Sequence, residues 1–279
     1  MLTRASTLHV ATAVTLALVG TGLFGCGVPE ETSKPIINRN QPSVEATSAA
    51  RPPASEVPPP PPIPAVGGWE TIGSSVRGAP IRVLTVGHGP RKVLFIGGIH
   101  GDEPEGAVMT AELRSAFDAA DLADAVTLTI LEDANPDGRA ANTRGNANGI
   151  DVNRNFPAKN FVPGDPSNGG NPLSEPETRA VVETVDRISP ALILVAHSWA
   201  GRQFINFDGP AREVAERFSE DSGLPVEESS AFAPTPGSLG SYFGRDRGTP
   251  VLTIEVLKGS DPEAVWNRLR PALLQAIAG

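Results

Sequence analysis

The sequence predicts an α/β layered fold with helices on both faces of a central sheet. Short apolar runs alternate with amphipathic stretches from about residue 81 to the end, the pattern of strands and helices in layered α/β folds. Two of the runs, "ALILVA" (191–196) and "PVLTIEV" (250–256), are apolar at successive positions, as expected of strands buried on both faces. The chain beyond residue 66 supplies about 210 residues, ample for one substantial core.

Taken in order, Ile81–Val86 and Val93–Ile96 read as strands joined by a turn at Gly87-His88-Gly89-Pro90. Residues 104–119, with Ala107, Val108, Ala111, Leu113 and Phe117, read as a helix, and "VTLTIL" (126–131) as a strand. Residues 132–173, rich in Asn, Gly and Pro, show little regular pattern; long irregular stretches in compact domains are functional or disordered. Ser174-Glu175-Pro176-Glu177 fits a capping box, with Ser174 as N-cap and Glu177 reaching back, and opens a helix to about Ile188. Strand 191–196 follows, then a helix near 210–221, strand 250–256 and a final amphipathic helix over 261–277.

The N-terminal part belongs to no core. Arg4 is followed by no charged residue until Glu30, a basic start and an apolar stretch of export-signal length, with an uncleaved membrane anchor as the other reading. Leu23-Phe24-Gly25-Cys26 resembles the lipobox of bacterial lipoproteins, which implies that residues 1–25 are a signal peptide and that Cys26 is lipidated. Residues 26–66, rich in Pro, Ser, Ala, Glu and Thr and including Pro58–Pro62, are expected to be a disordered tether reaching on the order of 100 Å. Residues 67–279 are then expected to form the globular domain, in an extracytoplasmic, membrane-anchored protein of the bacterial envelope. Cys26 is the chain's one cysteine, so no disulfide forms within it and any transition-metal site must be built from histidine and carboxylate. The net charge of −9, with no basic cluster, leaves no footprint for nucleic acid, and a monomer is expected.

His9 lies in the signal and His88 in a surface turn. His100 and His197 each follow an apolar run directly, and in open α/β sheets ligand sites gather at the carboxyl ends of strands. Glu103 stands three positions after His100, making a three-ligand set with a fourth position open, as catalytic zinc uses. The glycines of "GGIHGDEPEG" would let the strand end turn sharply so that both side chains face one ion. Such a site needs a base. Glu255 is the one carboxylate inside an otherwise apolar strand run, and an ionised carboxylate is rarely buried without a partner. The Asn/Gly stretch adds Arg139, Arg144 and Arg154, suited to binding a carboxylate or a developing oxyanion.

These residues together resemble the zinc metallocarboxypeptidases of the carboxypeptidase A type. The matching elements, in family order, are His100-x-x-Glu103, Asn135-Pro136-Asp137-Gly138, Gly149-Ile150-Asp151-Val152-Asn153-Arg154-Asn155-Phe156, His197-Ser198 and Glu255. "HGDEPEG" and "TPGSLGS" are most similar to the compact bacterial branch of murein peptide amidases, which trim cell-wall peptides.

The resemblance implies a mixed, mostly parallel central sheet and one zinc ion per chain held by His100, Glu103 and His197. It implies Glu255 as general base, Arg144 (rather than Arg139) as the group that polarises the scissile carbonyl, and Asn153 and Arg154 as the pair that binds a peptide's free C-terminal carboxylate. The expected reaction is hydrolysis of a C-terminal amide bond, with the γ-D-glutamyl-diaminopimelate bond of murein peptides as the target. One departure is the family's mobile tyrosine: its region here reads "SAFAPTPGS", and the chain's single tyrosine, Tyr242, is expected to be a packing residue. The pocket for the terminal side chain is expected near 234–247, with Arg245, Asp246 or Arg247 facing it. Two alternatives stay open: a zinc N-acyl amino acid deacylase of the aspartoacylase and succinylglutamate desuccinylase type, and a non-catalytic peptide-binding lipoprotein.

Overall fold

A computed structural model of the chain describes residues 68–229 and 235–279. The signal, Cys26 and tether expectations lie outside these residues, as do residues 230–234 of the segment where the family's tyrosine would stand.

The sheet is mixed, as expected, and its eight strands run in the order β1-β2-β4-β3-β5-β8-β6-β7. They are β1 (Trp69–Ser74), β2 (Pro80–Val86), β3 (Arg91–Ile96), β4 (Val126–Leu131), β5 (Leu192–Trp199), β6 (Phe204–Asp208), β7 (Val226–Glu228) and β8 (Val251–Leu257). β4, β3, β5 and β8 form a parallel centre, while β2 joins β4, and β6 joins β8, antiparallel. Residues 87–90 form a loop rather than a hairpin turn, and β2 and β3 do not pair, because β4 lies between them.

Burial on both faces explains the continuous apolar runs. In β5, Leu192, Leu194 and Ala196 pack on one side with α1 (Ala107–Ala119), α4 (Arg212–Ser222) and α5 (Pro262–Ala278); Ile193 and Val195 pack on the other with α3 (Pro176–Ile188). β3 and β8 alternate likewise, and the period of two carries the α3-side row of β8 from Val251 through Thr253 to Glu255. The same row of β5 runs from Ile193 and Val195 to His197, and the register sets His197 directly beside Glu255.

The irregular stretch holds one short helix, α2 (Pro136–Ala141), and 3₁₀ turns at Val152–Arg154 and Pro166–Asn168. α3 corrects the expected capping box. Its N-cap is Glu175, with no side-chain cap, and Ser174 Oγ donates to Glu175 Oε1 (2.8 Å). Glu177, fully buried, accepts from the Val76 amide (3.0 Å) and from Asn146 Nδ2 (2.9 Å) instead of reaching back. A long-range network has taken the side chain that the local motif reserved for the helix end.

Candidate metal centre and substrate cavity

β3 ends at Ile96, and the chain turns at once. Gly98 has φ +67°, which favours glycine, and a Cβ at Gly101 would lie 1.9 Å from the Gly138 carbonyl carbon, so the two loops touch backbone to backbone. Asn135 ties them further: Oδ1 accepts from the Gly138 amide, and Nδ2 donates to the Ile99 and Arg144 carbonyls (3.3 and 3.4 Å). The Asn-Pro-Asp-Gly motif thus holds the His100 loop and the Arg144 loop as one unit.

The three expected ligands converge. His100 Nδ1 lies 2.9 Å from Glu103 Oε1, and His197 Nδ1 lies 2.8 Å from Glu103 Oε2. All three side chains are buried, with ligand atoms within 4.8 Å of one another, and no other such group occurs among the described residues. The donor set fits zinc: nitrogen and carboxylate donors on three sides, which a tetrahedral ion would spread to separations of about 3.3 Å. Burial alone would raise the Glu103 carboxyl, but attraction to His197 and the bonds to both rings hold it far below the usual carboxylate range. Glu103 is therefore a charged ligand at neutral pH.

The sequence marks Asp151 only as part of a motif. Its Oδ1 lies 3.0 Å from His100 Nε2, which leaves Nδ1 to face the ligand cluster, and Oδ2 accepts from Arg144 Nε (2.9 Å). Its partner is distant in sequence, so no local pattern points to the contact. Burial would raise Asp151; the His100 bond and charge, with Arg144 and Arg154, lower it strongly.

A cavity of about 400 Å³ opens over this cluster. Glu255, Arg144, Asn153 and Arg154 all line it, as the sequence expected, whereas Arg139 pairs with Asp133 (2.6 Å) and exposed His88 with Asp124 (3.0 Å). Arg144 Nη1 donates to Glu103 Oε1 (3.0 Å) from a half-exposed position. Asn153 Oδ1 accepts from the Leu239 amide (2.9 Å), and Arg154 Nη1 donates to the Asn153 carbonyl (2.8 Å). Burial lowers Arg154, with Arg144 adding to it and Asp151 opposing, so an anion placed there would be welcome. Glu255 is raised, first by burial and then by the Glu103 charge, against the pull of His197, His100 and Arg144.

The cavity beyond the clamp is polar, lined by Asn206, Asp208, Ser229, Ser238 and Thr253. Asp208 closes β6, a short strand that no continuous apolar run marks in the sequence, and accepts from Ser229 Oγ (3.0 Å). Among the three candidates left open, Arg245 is the one turned this way: its Nε lies 3.0 Å from Asp208 Oδ1. Asp246 accepts from the Lys159 amide, and Arg247 pairs with Asp186 and covers Tyr242 and Phe243. Tyr242, half-buried in the π-helical segment Gly240–Asp246, packs on Phe243 (ring centroids 4.8 Å) and does not line the cavity.

Comparison with known proteins agrees with this geometry. Residues 64–230 match the zinc carboxypeptidase family. Murein peptide amidase A of Escherichia coli (strain K12) is 31% identical over 214 residues, covering 71% of this chain and 84% of its own. A gamma-D-glutamyl-L-diamino acid endopeptidase 1 of Lysinibacillus sphaericus is 24% identical, covering 68% of this chain and 61% of its own. The crystal structure of murein-tripeptide amidase MpaA from Escherichia coli O157 superposes with a TM-score of 0.63 at 26% identity, covering 77% of this chain and 93% of that one. The chain belongs to the zinc carboxypeptidase family, and it is a peptide hydrolase whose cofactor is zinc.

Proposed function

We propose that this hydrolase releases the C-terminal residue of cell-wall peptides at the γ-D-glutamyl–diaminopimelate bond. The observation that carries the reading is a single cavity with Glu255 and the ligand cluster at its centre, Asn153 and Arg154 beside them, and a polar pocket ending at Asp208. The names of the relatives from E. coli and L. sphaericus point to the same chemistry.

His100, Glu103 and His197 would hold the zinc, which when bound supplies Lewis-acid polarisation of the scissile carbonyl and acidifies a water. Asn153 and Arg154 fix the substrate's terminal carboxylate, converting an encounter into a positioned reactant. Glu255 takes the proton of the attacking water and passes it to the departing amine. Arg144, tethered through Asp151, meets the oxyanion as it forms. Asp208, paired with Arg245, places charged groups at the end of the polar pocket, which suits a polar terminal side chain such as that of diaminopimelate.

The test is hydrolysis of L-Ala-γ-D-Glu-diaminopimelate against α-linked dipeptides and small N-acetyl amino acids. The zinc-loaded protein is expected to favour the tripeptide by at least about tenfold in kcat/KM, since a site built for polar groups rejects analogues lacking them. Equal or faster turnover of the N-acetyl amino acids would identify a deacylase instead.

We also propose that residues 1–66 deliver and tether the domain to the outer side of a bacterial membrane. The support is the uncharged stretch from residue 5 to 29 ending at Cys26, followed by proline-rich chain. Cys26→Ala is expected to move the protein from the membrane to the soluble fraction of cells; an unchanged distribution would mean that something other than Cys26 anchors it.

A further inference from the structure

Among the described residues, the cations lining the cavity are Arg144, Arg154 and Lys258. The first two already have partners in the proposed chemistry. Lys258 does not, and its position relative to Glu255 assigns it one.

Strand register orders the cavity along β8. Thr253, paired with Asn206 of β6, and Asp208, paired with Val251, lie toward the start of the strand and form the pocket for the terminal side chain. Glu255 follows, paired with His197. Trp199 stands opposite Leu257 at the far end, and Lys258 comes next, its amide donating to the Trp199 carbonyl (3.0 Å). At about 3.3 Å per residue, the terminal pocket lies roughly 7 Å to one side of Glu255, and the end of β8 at Leu257, which Lys258 directly follows, roughly 7 Å to the other. A peptide whose scissile bond sits at Glu255 with its last residue over Thr253 must carry its acyl side toward Trp199 and Lys258.

That end is shaped for a ligand. Trp199 is 42% exposed despite its size, and its ring stands edge-on against fully buried Phe204 (centroids 5.7 Å, 67°), which fixes it as a wall. Lys258 Nζ lies 2.9 Å from Asp102 Oδ2, both side chains partly exposed. An ammonium has three donors, so Lys258 can keep Asp102 and still bind a second carboxylate.

We infer that Lys258, beside Trp199, forms an acyl-side subsite for an anionic residue, such as a γ-linked glutamyl residue whose α-carboxylate is free. This rests on the proposed placement of the terminal residue at Asn153 and Arg154. In an ordinary α-linked peptide the main-chain carboxyl of that residue is consumed by the scissile bond; in a γ-linked one it projects as a charge, and among the described residues Lys258 is the cavity-lining cation toward the end of β8. Asp102 holds the ammonium at the rim when no substrate is present.

The experiment uses two matched substrate pairs with the zinc-loaded full-length protein and its Lys258→Gln and Lys258→Glu variants. One pair is L-Ala-γ-D-Glu-diaminopimelate with the glutamyl α-carboxylate free or amidated; the other is an α-linked peptide with Glu or Gln before the terminal residue. The parent protein is expected to prefer the acidic member by about tenfold in kcat/KM, the low end for a charge-assisted bond because the site is partly exposed. Lys258→Gln should lose that preference while turning over the uncharged members within about threefold of the parent, and Lys258→Glu should reverse it. A parent indifferent to amidation, or a Lys258→Gln variant that keeps the preference, overturns the subsite, as does failure to cleave any of the four. A Lys258-dependent preference seen only in the α-linked pair would leave the subsite standing and overturn the murein reading.

Discussion

Glu255→Gln is expected to lower kcat by about 10²- to 10⁴-fold while zinc binding and KM stay close to those of the parent. The reasoning starts from the strand. Glu255 occupies the last core-facing position of a row that begins with Val251 and Thr253, and it is 7% exposed. It is not a ligand in the cluster, so its loss leaves His100, Glu103 and His197 in place. Glutamine keeps the shape and removes the proton acceptor. The same exchange should stabilise the metal-free protein at neutral pH. Burial raises this carboxyl above its usual value, so the folded state holds the proton more tightly than the unfolded one. The sign is that of a raised acid: stability is full below the unfolded pKa and falls as pH rises toward the folded one. Metal-free Glu255→Gln should therefore melt above metal-free parent at pH 7, with the difference closing below about pH 4, where both side chains are neutral. Thermal melts at the two pH values check the sign, and kinetics with measured zinc content check the role. A variant that keeps most of its kcat would remove Glu255 from the mechanism.

The trade between function and stability at Glu255 is also why it could be read from sequence. A charge inside "PVLTIEV" breaks a pattern that burial on both faces otherwise enforces, and the break marks the site. β3, β5 and β8 were legible for the same reason, since alternate residues feed separate cores on the two sides of the sheet. β1 was not: "WETIGS" is half-exposed along an edge and has no such run. β6 was obscured by Asn206 and Asp208, polar residues that serve the cavity rather than a core. The capping box misled because Glu177 answers to Val76 and Asn146, partners no window around α3 contains. Asp151, Trp199 and Lys258 escaped on similar grounds. Their roles come from β5–β8 register and from a loop folding back on His100, and neither leaves a local trace.

Chelating the zinc is expected to abolish activity reversibly and to lower Tm without unfolding the domain at room temperature. The core lies in the sheet and helices, away from the ligands, in two apolar clusters on either side of the sheet. The protein should therefore stay folded when stripped, unlike small domains that fold only on metal. Zinc binding to the folded form alone still adds stability by mass action, about 4 kcal/mol at a thousandfold excess over Kd, or roughly 8–16 °C in Tm for a domain of this size. Asp151→Asn separates the metal from the fold. Losing the carboxylate on His100 Nε2 loosens the ring and lowers its basicity, and such partners are worth about 10- to 100-fold in metal affinity. At equal free zinc, the variant's zinc-dependent stabilisation should shrink by about 1.4 kcal/mol for each tenfold lost, or roughly 3–6 °C in Tm. Competition with a chromophoric chelator reads the affinity independently of catalysis, which matters because Asp151 also holds Arg144. If stripped protein still hydrolyses peptide, the His100–Glu103–His197 cluster is not the working metal site; if the variant binds zinc as tightly as the parent, Asp151 has no part in holding it.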